Sequence, residues 1–166
     1  MTQFCAFTLA GQLFGLDVGE VQEVVLPQAM TRVPLAPGIV CGLINLRGQI
    51  VMAIDLRKRL GLPERKPGEQ AINLVARSEH GAVSLLIDEI RDVVTVDDAQ
   101  REPTPDTVRA AIREVVRGVY KLEGRLLLVL DKDKVLSGES VIPTRSLREV
   151  ARPPAVPVAA ASGERR

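Results

Sequence analysis

Aromatic side chains are nearly missing from this 166-residue chain: Phe4, Phe7, Phe14 and Tyr120 are the whole set, and there is no Trp. Proteins that hold single-stranded nucleic acid stack bases on exposed rings, so that class is disfavoured from the outset. An excess of one charge is missing too, since 22 Lys+Arg stand against 21 Asp+Glu for a net +1. Nothing in that balance would steer a polyanion or draw the chain onto an anionic membrane. His80 is the single histidine, which leaves no second imidazole for a metal site and none beside a serine elbow. Cys5 and Cys41 both sit in apolar runs and read as reduced core residues rather than as a disulfide. No apolar run approaches the length of a membrane span, and residues 1–8 lack the basic and apolar regions of a signal peptide. The expectation is a cytoplasmic protein without direct membrane insertion.

What is present is a repeated grammar. Gly42-Leu43-Ile44-Asn45-Leu46-Arg47-Gly48-Gln49-Ile50-Val51-Met52-Ala53-Ile54-Asp55 places two apolar, β-branched runs around Arg47-Gly48, the mark of a hairpin whose turn needs positive φ. Asp55 is placed to cap a short helix, Leu56 and Leu60 fall on one face of it, and Gly61 ends it. The stretch from Gly118 repeats this without a gap: Gly48 meets Gly124, Asp55 meets Asp131 and Leu60 meets Leu136. Upstream, Glu20-Val21-Gln22-Glu23-Val24-Val25 matches Glu89-Ile90-Arg91-Asp92-Val93-Val94, each after a predicted hairpin. The same elements in the same order indicate two similar modules.

Taken in order, residues 3–10 and 12–17 predict a first hairpin, and 19–25 a turn becoming a strand with Val21 and Glu23 on one side. Residues 39–46 and 49–54 predict the second hairpin, and 62–70 reads as a linker. The second half repeats this at 71–77, 82–87, 90–96, 115–122 and 125–130, with one helical turn near 107–112 and a weak helix at 143–150. The Pro/Ala-rich stretch 151–166 is expected to be a disordered tail. Short strands, glycine turns and token helices give an all-β fold, best arranged as two small barrels packed on each other. Halves of about 75 residues are marginal alone and should share an interface. Residues 1–150 are expected to form one domain, divided into subdomains at about 12–69 and 70–138 with the N-terminal strand and the C-terminal segment packing across, and with 46% hydrophobic residues the core is well supplied.

A catalytic inventory is hard to assemble. Asp131-Lys132-Asp133 opens like a calcium loop, but Val135 and Leu136 stand where an oxygen ligand and the turn glycine belong. Gly11, Gly15 and Gly19 lie in or beside strands and do not form a phosphate cradle. Asp17, Asp55 and Asp88 occupy strand ends, where caps outnumber acid/base groups. No catalytic residue, metal or cofactor is expected. Two charged positions stand out instead: Arg47 where the second copy has Glu123, a change of sign, and Glu23 where it has Asp92. Solvated tips contribute little to stability, so these charges mark a surface with a task or are ordinary solvated residues.

The residues from Gly42 to Arg57, together with Phe14-Gly15-Leu16-Asp17-Val18, Val21-Gln22-Glu23-Val24 and Leu86-Ile87-Asp88-Glu89-Ile90-Arg91-Asp92-Val93-Val94, resemble in order the CheW family of chemotaxis coupling proteins. The likeness spans about residues 3–138. It implies two five-stranded SH3-like barrels around a shared core, no catalysis, and an adaptor joining the cytoplasmic tip of a methyl-accepting chemoreceptor to the regulatory domain of the histidine kinase CheA, itself CheW-like. By position, Val21, Gly42, Asn45 and Arg47 are implied on the receptor-binding side. Glu23 matches a polar position near that side and, with Val24 and Val25, is assigned to a kinase-binding edge. Glu102 and Thr107 stand where some relatives carry Arg and Phe for a contact that closes arrays into rings. An adaptor of a chemosensory pathway for pili, development or a second messenger is the nearest alternative, and a small-barrel nucleic-acid binder the more distant one. Alone, the protein is expected to be a monomer or a weak self-associate.

Overall fold

The computed structural model describes residues 1–34, 36, 38–79 and 81–137. His80, the predicted helix at 143–150 and the tail from 151 lie outside the described residues. The first half runs β1 (Thr2–Leu9), β2 (Gln12–Asp17), a 3-10 turn (Val18–Glu20), β3 (Val21–Val25), β4 (Val40–Leu46), β5 (Gln49–Asp55) and α1 (Leu56–Arg59). The second runs β6 (Ile72–Ser78), β7 (Gly81–Ile87), β8 (Glu89–Val96), a 3-10 turn (Asp98–Gln100), α2 (Ala110–Arg113), β9 (Val116–Leu122), β10 (Arg125–Leu130) and α3 (Lys132–Leu136). Local chemistry acts as the residues predict. The Asp55 carboxylate accepts from the Arg57 amide at 3.0 Å, Leu56 and Leu60 are fully buried, and Gly61 ends the turn at φ 70°. In the copy, Asp131 accepts from the Lys134 amide at 3.2 Å.

The strands form two five-stranded sheets, ordered β8-β1-β2-β10-β9 and β3-β6-β7-β5-β4, which make the two SH3-like barrels. The two orders are the same list once β1–β5 are exchanged with β6–β10. Register agrees to the residue. Cys41 is bypassed between the pairs Val40↔Ile54 and Gly42↔Ala53, and Arg117 is bypassed between Val116↔Leu130 and Gly118↔Val129. Each outer edge is covered in the same way: Thr31 bridges Leu43 on β4, and Glu102 bridges Val119 on β9. Covering an edge strand removes a template for unwanted pairing.

The subdomain division at 69/70 requires correction. Hairpin β1–β2 belongs to the sheet of β8–β10, and hairpin β6–β7 to the sheet of β3–β5. The joins are the parallel pairings of β2 with β10 (Phe14↔Leu128) and β5 with β7 (Met52↔Val83), together with the antiparallel pairs β1–β8 and β3–β6. Each half of the chain therefore supplies strands to both barrels, because β2 and β5 would otherwise end their hairpins with an open edge. One large core, including Phe7, Phe14, Leu16, Ile54, Leu74, Leu85, Leu128 and Leu130, is shared between the sheets. Smaller cores sit on each sheet's other face, around Phe4 and Tyr120 in one barrel and around Ile44, Val51 and Val75 in the other.

Polar contacts lock the exchange. Asp88, between β7 and β8, accepts from the Ala10 amide at 2.8 Å and from Arg57 Nε at 3.0 Å, and forms an ion pair with Arg65 Nη2 at 2.9 Å. Arg65 Nη1 also lies 3.3 Å from Asp55. Burial pushes the Asp88 carboxyl up, but the hydrogen bonds from Arg57 and Ala10 and the charges of both arginines outweigh it, so it titrates below the usual carboxylate range. On the far side, Arg59 Nε donates to the Val135 carbonyl at 2.9 Å, tying α1 to α3.

Because the core is shared, Phe14→Ala should cost about 3–5 kcal/mol in a single transition. Far-UV circular dichroism and Tyr120 fluorescence should move together through urea, and separate midpoints would contradict a shared core. A carboxyl with a lowered folded value stabilises fully above its ordinary range and loses that contribution as pH falls through the folded value. Asp88→Asn should therefore cost about 2 kcal/mol at pH 7, with the gap to the parent chain closing on acidification. A gap that stays constant down to low pH would remove Asp88 from that role.

Candidate functional surface

Most of the singled-out residues converge on one end of the barrel built from β3–β7. At its tip the β4–β5 turn has positive φ at both central residues, 52° at Arg47 and 85° at Gly48. This is the mirror-type two-residue turn whose twist suits a hairpin. Asn45 Oδ1 accepts from the Gly48 amide at 2.9 Å and fixes the turn. Arg47 then projects with 71% of its side chain exposed and donates through Nη2 to both carboxylate oxygens of Glu23. The hydrogen bond from Arg47 holds the Glu23 carboxyl below its usual range. In the sheet order β3 and β4 are opposite ends, so this ion pair spans the seam where the sheet curls round on itself. The corresponding positions of the other barrel are both acids, Asp92 and Glu123.

Glu23 reaches the seam because of a bulge. Between the pairs Val21↔Ala76 and Glu23↔Val75 the register shifts, leaving Gln22 extra. Val21 consequently faces the shared core while Glu23 turns to the barrel's other face, and simple alternation, which would put them on one side, does not hold. Beyond the bulge, ordinary alternation parts Val24 from Val25. Val24 is 41% exposed, whereas Val25 is half-buried and packs inward against Ile44, Leu46, Val51 and Val75. Of the two valines on the predicted kinase edge, only Val24 is offered to a partner.

Gly42 is buried, and a Cβ built there would lie 2.5 Å from the Thr31 carbonyl oxygen. The close approach this glycine permits is to the chain's own loop. Glu102 and Thr107 stand apart, on the barrel of β9. The Glu102 backbone bridges Val119 and its carboxylate lies 3.3 Å from Lys121 Nζ. Thr107 is exposed at the rim of a depression of about 440 Å³, shared with Leu62, Pro63, Ile112 and Leu126.

Among the described residues there is no group of three His, Cys, Asp or Glu side chains able to hold a metal, and no helix long and apolar enough to cross a membrane. Sequence reasoning passed over Leu26, which is 75% exposed, and the buried pair Asn73 and Ser84 beneath it. The signal was available, because Asn73 and Ser84 are polar residues inside otherwise apolar strand runs.

Comparison with known proteins agrees with this geometry. The family model described as the CheW-like domain matches residues 3–140. A chemotaxis protein CheW of Rhizobium meliloti is 34% identical over 137 residues, covering 82% of this chain and 88% of the relative. One from Bacillus subtilis is 34% identical over 134 residues, covering 81% and 86%. Among solved structures, the scaffolding protein TtCheW from Thermoanaerobacter tengcongensis superposes with a TM-score of 0.74 at 28% identity, covering 84% of this chain and 90% of its own.

An exposed ion pair contributes little to stability. Arg47→Ala should leave the unfolding free energy within about 1 kcal/mol of the parent chain in urea titration. A larger loss would make Arg47 a structural residue.

Proposed function

Because this chain belongs to the CheW family of chemotaxis scaffold proteins, we propose that it couples methyl-accepting chemoreceptors to the histidine kinase CheA in a cytoplasmic array bound to those receptors. The observation that carries this reading is the asymmetry of the two seams. One copy of the duplicated tip holds an exposed arginine on a locked turn and pairs it with Glu23, while the other copy has an acid at both corresponding positions. A side chain ordered at little gain to stability is suited to recognition, since its remaining guanidinium donors are oriented before the partner arrives.

In this reading Val21, Asn45 and Arg47 serve the receptor's helical tip, with Gly42 acting through the loop it allows to approach. Glu23 and Val24 serve the CheA regulatory domain. Glu102 and Thr107, on the other barrel, are placed for a separate contact between neighbouring complexes. The protein works by holding partners at fixed distance and orientation, a task for surfaces on a rigid double barrel.

The test is capture of two purified probes, a receptor signalling fragment and the CheA regulatory domain, by the full chain. Both should be retained, and Arg47→Glu should weaken receptor capture at least tenfold with the melting temperature unchanged. Failure to retain either probe would overturn the proposal.

A further inference from the structure

The two barrels differ in what fills equivalent interior positions. In one, Phe4 packs against Tyr120 with ring centroids 5.6 Å apart, and Gly15 leaves room for Phe4 and Leu127. In the other, the corresponding positions are Asn73 and Ser84, both fully buried. Ser84 Oγ donates to Asn73 Oδ1 at 2.9 Å, and Asn73 Nδ2 donates to the Leu26 carbonyl at 3.2 Å. A buried polar pair adds little to stability over an apolar filling of like shape, so its presence calls for another reason.

The chain geometry at Leu26 supplies one. Val25↔Asn73 is the last pair of β3 with β6, and Pro27 has no amide to continue the ladder. A residue before proline is also held extended, which keeps Leu26 in phase with Val24. The Leu26 carbonyl would lose its partner where the ladder stops, and Asn73, with Gln28 Nε2 at 2.9 Å, takes it instead. The side chain is thereby held outward at 75% exposure, two residues along the strand from Val24 at 41%. Exposed apolar residues gathered in this way mark an interaction surface.

We propose that Asn73 and Ser84 are positioning residues for the kinase-facing edge, and that Leu26 is the contact they present. This rests on the reading that β3 meets the CheA regulatory domain. The patch it fits is apolar and uncharged, since Gln22 and Gln28 flank the ledge and the charge of Glu23 is already matched by Arg47.

The experiment measures affinity of the full chain for the CheA regulatory domain, beside melting temperature and amide exchange. Leu26→Ser changes only an exposed side chain and should weaken binding about tenfold without moving the melting temperature. Asn73→Leu combined with Ser84→Ala removes both polar partners at once; it should also weaken binding about tenfold, speed amide exchange in residues 26–30 and leave β4–β7 protected. Val24→Asp should abolish binding if the edge is correctly assigned. Wild-type affinity in Leu26→Ser alongside loss in Val24→Asp would overturn the presented contact and leave the edge standing. Wild-type affinity in the double variant, with loss in Leu26→Ser, would overturn the positioning role. Wild-type affinity in Val24→Asp would remove the edge and this inference with it.

Discussion

Two parallel strand pairings, β2 against β10 and β5 against β7, hold this molecule together, because each joins a hairpin from one half of the chain to a hairpin of the other, while the antiparallel pairs β1–β8 and β6–β3 complete the two sheets. Parallel neighbours need a long connection, and here the intervening strands of both modules serve as that connection. The shared core follows from it. Phe14 on β2 and Leu128 on β10 are partners in register and bury into the same cluster as Ile54 on β5 and Leu85 on β7. The Asp88 contacts act on the same join, since the acid comes from the second half and the Ala10 amide, Arg57 and Arg65 all precede it.

Within that frame the two modules match in backbone and diverge in side chains. Bulges, helix caps and edge bridges recur at corresponding positions because closing a five-stranded sheet demands them of any sequence. Turn tips and one interior layer are under less constraint, and there the copies part: Arg47 against Glu123, Glu23 against Asp92, Asn73 against Phe4. A duplicated scaffold can thus offer different surfaces from its two halves without altering either fold. An adaptor that must hold unlike partners at once has use for that asymmetry.

The proposed surface is preorganised by individual polar contacts and a bulge. Asn45 closes the turn beneath Arg47, the Gln22 bulge carries Glu23 to the seam, and Asn73 holds Leu26 where the ladder ends. None of these devices adds much to global stability, and each removes freedom that binding would otherwise have to remove. The proposed recognition surface and the cooperative core are in this sense separate parts of one structure.

What the residues determine unaided is whatever depends on neighbours in the chain. The turn at Arg47-Gly48, the caps at Asp55 and Asp131, the alternation of each hairpin and the duplication itself are legible because each needs only a few adjacent side chains and the φ values they allow. Membership of the CheW family is legible for the same reason, as its signature is a contiguous hairpin. Which hairpin joins which sheet is decided by tertiary structure alone, because the four open edges have similar apolar patterns and only closure of both barrels selects among them. The bulge that parts Val21 from Glu23, the inward turn of Val25 and the hold of Asn73 on Leu26 are decided there too, since each depends on a register set by a strand some fifty residues away.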